Sequence, residues 1–593
     1  MNLVRRCVTA VLAVVLIATG ARASVFEQAP ADALVVIRVN NLEQVSGRLG
    51  KLARDLGIAA MVPPAQDPLG AAQDALGIAN GLNKTGDAAF VVIDPDQVDD
   101  GEPVYLVLPV SDYQAFLGNF ADATTEGEVS VIRFGPGGEP SYMANWGEYA
   151  VISPNRSLVG AKPAEPFKVS PAAEREATSK DMVMIANIAA VRAKLLPLLE
   201  DGRADFIDEV LEELPDDEKA QKFKPTLTVA LNQLINVGEA FLRDGTNSTV
   251  GLSFAGDGIG ITVLSEFAPE SYLGTTVGLL ENTQDSLLSG LPAGRYLVYG
   301  GTAGETAAMN KVIDDITAPI LEEVRKVEGD DAASIVSFVD ALKQFSSESK
   351  GGRFGMLVPE VNIGETPLVQ GVYLVEGDGA KLDATYESLV ESQMAMLSAF
   401  GLQPAEMGTT VTPAAKTIGD VEFTLYRTAL PENANDPDVA QARQMFQIFY
   451  GSDSADVYTG VAGGKFISTV GLSDDLMTLA VEAAKSGAAP LAENANVKAV
   501  AAQLPTERVM AVYVQVDEIL ATGLSAANQF GLQANVQLPP DLPPVGITAA
   551  KDGSALRIDV NVPSTLVQSL VAAGMQLFMQ MQGGGQPGGP GGL

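Results

Sequence analysis

The sequence predicts an α+β protein of two related halves, each a mostly antiparallel sheet with amphipathic helices packed on it. Its 593 residues exceed the size that one hydrophobic core usually reaches, so more than one domain is expected. Short β-branched strands followed by helical apolar stripes recur along the chain. Several strands also follow one another in hairpins, such as residues 250–263, and this favours antiparallel pairing.

The composition allows a folded chain and removes much catalytic chemistry. Hydrophobic residues make up 47% and charged residues 19%, which is close to ordinary globular usage. Histidine is absent, and Cys7 is the single cysteine. The chain therefore lacks the usual general base near neutral pH and the nitrogen and sulfur ligands of zinc and copper sites. We expect no catalytic residues of the conventional kinds and no cofactor.

Residues 1–23 have the pattern of a secretory signal peptide. Two arginines precede an apolar run over 8–19, and Ala-Arg-Ala at 21–23 is a small-x-small cleavage signal. The run is shorter than the about 20 residues of a membrane-spanning helix, so we expect cleavage and export to the periplasm or the cell exterior. An uncleaved anchor is the alternative. Lipid attachment is disfavoured because Cys7 precedes the apolar run.

The chain is strongly acidic. Lys and Arg number 38 against 74 Asp and Glu, a formal net charge of −36; without the three leader arginines, 35 cations face 74 acids and the charge is −39. Such a surface repels phosphate backbones and anionic lipid headgroups, so we expect no nucleic-acid partner and no peripheral membrane binding. No stretch after the leader reaches about 18 consecutive apolar residues, so we expect no stable membrane span after cleavage. A protein or another envelope component, a polycation or a divalent metal ion remains compatible. The alternative is that the acidity serves solubility alone.

Four strand–helix units organise the chain. The first has a strand at 34–39, a candidate helix cap at Asn40-Asn41 and apolar residues at helical spacing behind it. Comparable units begin at Met182, Tyr296 and Val509. Their recurrence indicates an internal duplication.

Other segments repeat in the same order, as a true duplication requires. The matching pairs are 103–110 with 368–375, 129–134 with 421–426, 147–153 with 464–470, and 250–277 with 545–571. We assign the halves to 24–290 and 291–582, with the boundary at a Gly/Pro break over 289–292. Chance matching among apolar strands is the alternative.

Longer helices and a low-complexity tail complete the pattern. Helical periodicity covers 205–214, 226–242 and 310–327. Residues 566–582 form an apolar, methionine-rich helix that serves either as an adaptable docking helix or as a packing helix. The Gly/Pro-rich tail at 583–593 offers nothing to bury and is expected to be disordered.

Three segments of the chain resemble a known class of proteins. The Pro-Ala-Asp-Ala strand at 30–40, the block at 104–120 and the strand at 147–153 are similar to bacterial exported proteins carrying a domain of unknown function built from repeated strand–helix units. The resemblance covers most of the mature chain and implies export and an α+β fold. The family has no established activity or catalytic residues to carry over.

Three motifs are rejected on their context. S-x-x-K at 347–350 and K-T-G at 84–86 are elements of serine β-lactamases and penicillin-binding proteins, but they occur here in the reverse order without S-D-N between them. The glycine-rich segment 256–260 resembles a phosphate-binding loop, which requires a helix next. Because 261–267 has the pattern of a strand, we predict a hairpin turn.

One acidic loop is a calcium candidate. Asp94, Asp96, Asp99 and Asp100 place four carboxylates on a short loop, and calcium prefers oxygen ligands. The spacing departs from an EF-hand because Val98 occupies a ligand position. A solvated loop without an ion is the alternative.

The missing catalytic residues and the duplicated pattern predict an exported, non-catalytic scaffold or binding protein. The alternative is a carboxylate-dependent hydrolase with a site between the halves, since 74 acidic residues offer many pairs and single out none. Trp146, the single tryptophan, is either a ligand platform or a packing residue beside Tyr142 and Tyr149.

Overall fold

The computed structural model describes residues 24–98, 102–134, 139–212, 218–254, 257–304, 306–327, 330–359, 366–399, 408–430, 437–529 and 538–583. The predicted signal peptide and the tail beyond Gly583 lie outside them. The chain forms two compact units: the first is Met1–Val191 with Asn247–Phe254, and the second is Arg192–Thr246 with Ala255–Leu593. These units are defined by contacts within the fold and do not show whether two parts of the chain share an origin. The two related halves at 24–290 and 291–582 therefore stay a prediction.

The first unit is built on an antiparallel sheet. Its strands are β1 (Val35–Val39), β2 (Ala88–Val92), β3 (Val104–Pro109), β4 (Thr124–Glu126), β5 (Val129–Phe134), β6 (Glu139–Asn145), β7 (Tyr149–Ser153), β8 (Met182–Asn187) and β9 (Gly245–Ser253). Their order is β9-β8-β1-β2-β3-β7-β6-β5-β4, and all neighbours are antiparallel. The α+β class predicted from the sequence is confirmed.

Helices connect the strands of the first unit. They are α1 (Leu42–Asp55), α2 (Pro68–Leu76), α3 (Tyr113–Leu117), α4 (Pro171–Ser179) and the start of α5 (Ile188–Glu212). Of the two asparagines predicted as the cap of α1, Asn41 caps the helix, because its side chain accepts a hydrogen bond from the Gln44 N–H at 3.1 Å. The Asn40 side chain instead donates to the Ala177 carbonyl oxygen at 2.6 Å. A capped first turn fixes where the chain leaves β1 and becomes helical.

Both faces of the first sheet are covered by apolar side chains. Val107 belongs to one core cluster and the next residue, Leu108, to another. Consecutive side chains of a strand point to opposite faces, so the sheet is buried between two layers. The core already includes Val25, which is 1% exposed, and Phe26, which stacks on Phe167 with ring centroids 6.4 Å apart.

The second unit has a longer antiparallel sheet. Its strands are β10 (Gly258–Phe267), β11 (Tyr296–Ala303), β12 (Ser349–Leu357), β13 (Gly371–Gly377), β14 (Gly408–Ile418), β15 (Val421–Ala429), β16 (Ser454–Ala462), β17 (Lys465–Val470), β18 (Met510–Val514), β19 (Val545–Asp552) and β20 (Ala555–Pro563). Their order is β10-β20-β19-β18-β11-β12-β13-β17-β16-β15-β14, with all neighbours antiparallel.

Most of the helical residues belong to the second unit. Besides α5 from Arg192 onward, its helices are α6 (Glu218–Asp244), α7 (Tyr272–Gly278), α8 (Thr306–Val324), α9 (Asp330–Glu348), α10 (Gly379–Ala399), α11 (Pro437–Tyr450), α12 (Asp474–Ser486), α13 (Pro490–Glu493), α14 (Ala495–Ala501), α15 (Val516–Gln529) and α16 (Ser564–Gly583). The helices predicted at 205–214, 226–242, 310–327 and 566–582 correspond to α5, α6, α8 and α16 where the chain is described.

The strand order of the first unit recurs in the second. Adding ten to each strand number of β9-β8-β1-β2-β3-β7-β6-β5-β4 reproduces the order from β19 to β14. The segments matched in sequence lie on strands in equivalent positions: β3 with β13, β5 with β15, and β7 with β17. The two units therefore share a topology over these nine described strands.

One ladder joins strands that are far apart in the chain. β10 pairs with β20 over nine residue pairs, from Gly258 with Pro563 to Glu266 with Ala555. At its centre, the buried Thr262 hydroxyl donates to Asp559 Oδ1 at 2.6 Å. Arg557 also donates to the Asp559 carboxylate, so this buried charge is paired and hydrogen-bonded.

Burial holds the second unit together without a disulfide, because the chain has a single cysteine. Tyr299 stacks on Tyr513, with ring centroids 5.5 Å apart, and Tyr296 packs against Tyr299. The Tyr296 hydroxyl donates to the Pro292 carbonyl oxygen at 2.8 Å, so the ring is buried with its polar atom satisfied.

The rejected motifs have the contexts that the sequence predicts. Residues 84–86 lie in a turn, and 347–350 run from the end of α9 into β12 instead of beginning a helix. The described part of the glycine-rich segment, residues 257–260, runs into the first residues of β10, so a strand follows where a helix would be needed. Neither a serine-enzyme site nor a dinucleotide loop is formed at these positions.

No helix in the described part of the chain is both long enough and apolar enough to cross a membrane.

Replacing two buried threonines tests the β10–β20 ladder. Thr262→Val removes a donor from the buried Asp559 carboxylate, and we expect the free energy of unfolding to fall by about 1.5–3 kcal/mol. Thr548 is the matched control: both threonines are 1% exposed, but the Thr548 hydroxyl has no hydrogen-bond partner. Thr548→Val should be neutral or stabilising. Urea unfolding measures both, and equal losses would contradict the assignment.

Candidate functional site: a polar pocket in the second unit

A cavity of about 740 Å³ lies at one end of the second sheet, where β12 and β17 end and β13 and β16 begin. Its volume falls in the range of small-molecule sites, about 300–1,000 Å³. The polar side chains that line it are Arg295, Thr366, Gln370, Lys416, Tyr450, Ser452, Ser454, Asp456, Tyr458 and Ser473. We call this cavity the strand-end pocket.

Two glycines allow the backbone to close the wall of the strand-end pocket. Gly471 follows β17 with a φ of 66°, and a Cβ there would lie 2.2 Å from the carbonyl oxygen of Val369. Gly451 has a φ of 67°, and its Cβ would lie 3.0 Å from the backbone nitrogen of Pro367. Glycine alone adopts such positive φ values without strain and permits this approach.

Lys416 crosses the pocket wall from β14. Its Nζ lies 2.6 Å from Asp474 Oδ1 and 4.9 Å from the centre of the Tyr458 ring. Asp474 is in the first turn of α12, where the helix dipole favours a carboxylate. The ammonium group is therefore neutralised by Asp474 and also covers an aromatic ring.

Asp456 is held across two neighbouring strands. It lies directly opposite Arg427 in the β15–β16 ladder, and the guanidinium donates to both carboxylate oxygens at 2.8 and 2.6 Å. The Ser454 hydroxyl donates to the same carboxylate at 3.0 Å. The hydrogen bonds from Arg427 lower the pKa of Asp456 below its ordinary value, against the opposing effect of burial. Asp456 is therefore ionised at neutral pH and is not available as a general acid.

Arg295 is also paired. Its guanidinium donates to the Glu518 carboxylate, with Nε 2.7 Å from Oε1. These hydrogen bonds raise the pKa of Arg295, so the guanidinium stays charged. Each of the three charged residues in the described part of the pocket lining thus has an ion-pair partner, and the other described side chains of the lining are hydroxyl, amide and apolar groups.

Local hydrogen bonds orient two of the hydroxyl groups. The Ser452 hydroxyl donates to the Ser454 carbonyl oxygen at 2.6 Å. The Ser473 hydroxyl accepts a hydrogen bond from the Leu476 N–H and caps α12. Leu476 packs on the core of the unit, so the same helix turn presents a polar atom and an apolar side chain at the pocket.

The predicted calcium loop is only partly described. Asp94 caps a short helical turn and accepts a hydrogen bond from the Asp96 N–H at 3.0 Å, while Asp99 and Asp100 lie outside the described residues. Within the described ranges, no three acidic, histidine or cysteine side chains are placed to hold a metal ion. Calcium binding at this loop stays a prediction.

Trp146 packs against the core of the first unit. Its ring meets that of Tyr105 edge to face, with centroids 6.0 Å apart, and it lies against the same apolar cluster as Tyr142 and Tyr149. These contacts match the second of the two roles predicted for Trp146, that of a packing residue.

Among the described residues of the pocket lining, Asp456 is the single carboxylate, and it is paired with Arg427. These described residues therefore present no pair of facing carboxyl groups of the kind that glycosidases use. The alternative hydrolase, with its site between the halves, stays a prediction.

Sequence reasoning did not find the residues of this pocket. Lys416, Asp456 and Tyr458 are not linked by any motif in the sequence, and Lys416 lies on a different strand from the other two. A glycine just after β17 and the serine-rich turn before β16 are the local signals that could have pointed to it.

Comparisons with known proteins give no relative: no family model, no curated protein and no solved structure matches the chain.

The ion pair of Asp456 predicts a specific pH dependence. The depressed pKa in the folded state means that the carboxylate stabilises the fold above its ordinary pKa, about 3.9, and that this stability is lost as pH falls through the folded-state value. Asp456→Asn should therefore be less stable than wild type at pH 7, with a difference that shrinks under acidic conditions.

Urea unfolding between pH 2 and pH 7 checks this expectation, with the exposed Asp475→Asn on α12 as the control. The control should be closer to wild type throughout. A difference for Asp456→Asn that grows on acidification would contradict the role of the ion pair.

Proposed function

We propose that this chain is an exported, non-catalytic binding protein built from two related α+β halves, and that the strand-end pocket is its ligand site. One observation carries the proposal: the pocket has the volume of a small-molecule site, and its charged residues are neutralised by ion pairs. A charged ligand would have to displace an existing partner. The pocket is thus suited to a neutral ligand with hydroxyl or amide groups beside an apolar face.

The leader pattern of residues 1–23, with two arginines before an apolar run and Ala-Arg-Ala at 21–23, supports export with cleavage. The acidic composition disfavours binding to nucleic acid, and the chain has no cysteine beyond Cys7 for a disulfide. A protein or another envelope component is the partner that fits these properties.

The repeated strand order supports the two related halves. Nine strands occur in the same order in both units, and the segments that match in sequence fall on equivalent strands. Insertions such as α11, which lies between β15 and β16, add length without changing that order. The resemblance to exported proteins with repeated strand–helix units agrees with this proposal.

Ligand-observed NMR on the mature chain tests the proposal. A panel of neutral fragments with hydroxyl or amide groups, each matched with a carboxylate analogue, should give binders among the neutral compounds. Ser452→Trp fills the pocket mouth and should abolish their signals. Ser388→Trp, an exposed serine on α10 away from the pocket, is the matched control and should keep them.

Two results would refute the proposal. Binding that survives Ser452→Trp would place the ligand elsewhere. Conversion of a fragment to product, abolished by changing one acidic side chain, would show an enzyme and would favour the hydrolase.

A further inference from the structure

Two helices of the second unit expose large apolar side chains. On α5, Leu198 is 68% exposed and Phe206 is 51% exposed, and Leu199 is exposed beside them. On α6, Leu234 is 62% exposed. Exposed apolar residues that stand singly are ordinary, but a contiguous group on adjacent helices indicates an interaction surface.

The exposed apolar side chains of α5 border an apolar groove. A cavity of about 370 Å³ lies between the two helices and is lined by Leu198, Leu199 and Phe206 on α5 and by Ile235 on α6. Gly202 and Gly238 also line it, and a Cβ added at either glycine would meet no atom within 4 Å. We call this the α5–α6 groove.

The groove has a defined framework beneath it. The Arg203 guanidinium donates to the Asn232 side chain at 2.8 Å and to the Asn236 side chain at 2.7 Å, and it lies 3.6 Å from Glu239. Ile207 on α5 is buried, so this helix is attached to the unit by one side. The exposed apolar side chains therefore stand on a helix that is fixed in place by its buried side.

Charge identifies the class of partner. Acidic residues occupy the exposed surface of α5 between residues 200 and 209: Glu200, Asp201, Asp205, Asp208 and Glu209. The single cation in this stretch is Arg203, and its donors are committed to α6. An apolar groove with an acidic border is complementary to an apolar helix face flanked by lysine or arginine.

We propose that the α5–α6 groove binds an amphipathic helix of another protein whose apolar face is flanked by basic residues. A second copy of this chain would bring the same acidic residues to the interface, and an anionic lipid surface would be repelled by them. Between Leu198 and Phe206 the apolar stripe spans eight residues, or about 12 Å at 1.5 Å per residue, which matches two to three turns of a bound helix.

Fluorescence anisotropy with the full mature chain tests this inference. The probe is a labelled amphipathic peptide of about 18 residues, five helical turns, with leucine on one face and lysine on the other. The double variant Leu198→Ser/Phe206→Ser should weaken binding at least about tenfold, because it removes the apolar contacts and keeps every charge. Met445→Ser/Leu479→Ser changes two exposed apolar residues elsewhere in the unit and should bind as wild type does.

Charge and alternative occupants complete the test. A peptide with glutamate in place of lysine should bind at least about tenfold more weakly, and higher salt should weaken the lysine peptide. Equal binding of both peptides, or binding unchanged by Leu198→Ser/Phe206→Ser, would overturn the inference. The inference would also be overturned if the wild-type chain forms a dimer in light scattering, or binds phosphatidylglycerol vesicles, and the Leu198→Ser/Phe206→Ser variant does not. Circular dichroism establishes that each variant is folded, so a loss of binding reports on the groove.

Discussion

The pairing of β10 with β20 is the constraint on which the second unit depends. It joins strands separated by nearly 300 residues, and it places Thr262 against Asp559 in the middle of a buried ladder. The loop-closure entropy of so distant a contact must be offset by the burial and hydrogen bonding of the whole sheet. Because the chain has a single cysteine, no disulfide within it reduces this entropy cost. From β20 the sheet continues through β19, β18 and β11 to the strands that form the strand-end pocket.

The position of the pocket follows from antiparallel geometry. In such a sheet the end of one strand lies beside the beginning of the next, so the loops around β12, β13, β16 and β17 meet at one end of the sheet. Side chains from distant parts of the sequence meet there as ion pairs and hydroxyl groups. The charged side chains described in the pocket lining are each paired with an ion of opposite charge, and such a site can orient a ligand. This pairing is the physical basis for proposing a binding role.

Much of the fold follows from the sequence, and little of the pocket does. The four strand–helix units, a helix cap at Asn40-Asn41 and the long helices were predictable because each depends on residues close together in the chain. The pairing of Arg427 with Asp456 depends on the register of two strands, and that of Lys416 with Asp474 on a distant helix start. Neither register nor tertiary distance can be read from a local pattern, so these charges looked like ordinary surface residues.

Native mass spectrometry of the protein isolated from its source cells distinguishes a bound ligand from a substrate. We predict a small molecule of one mass bound to the folded protein, unchanged after prolonged incubation and absent from a variant whose strand-end pocket is filled. A bound molecule whose mass changes with time, or one retained when the pocket is filled, would contradict a binding role for this pocket.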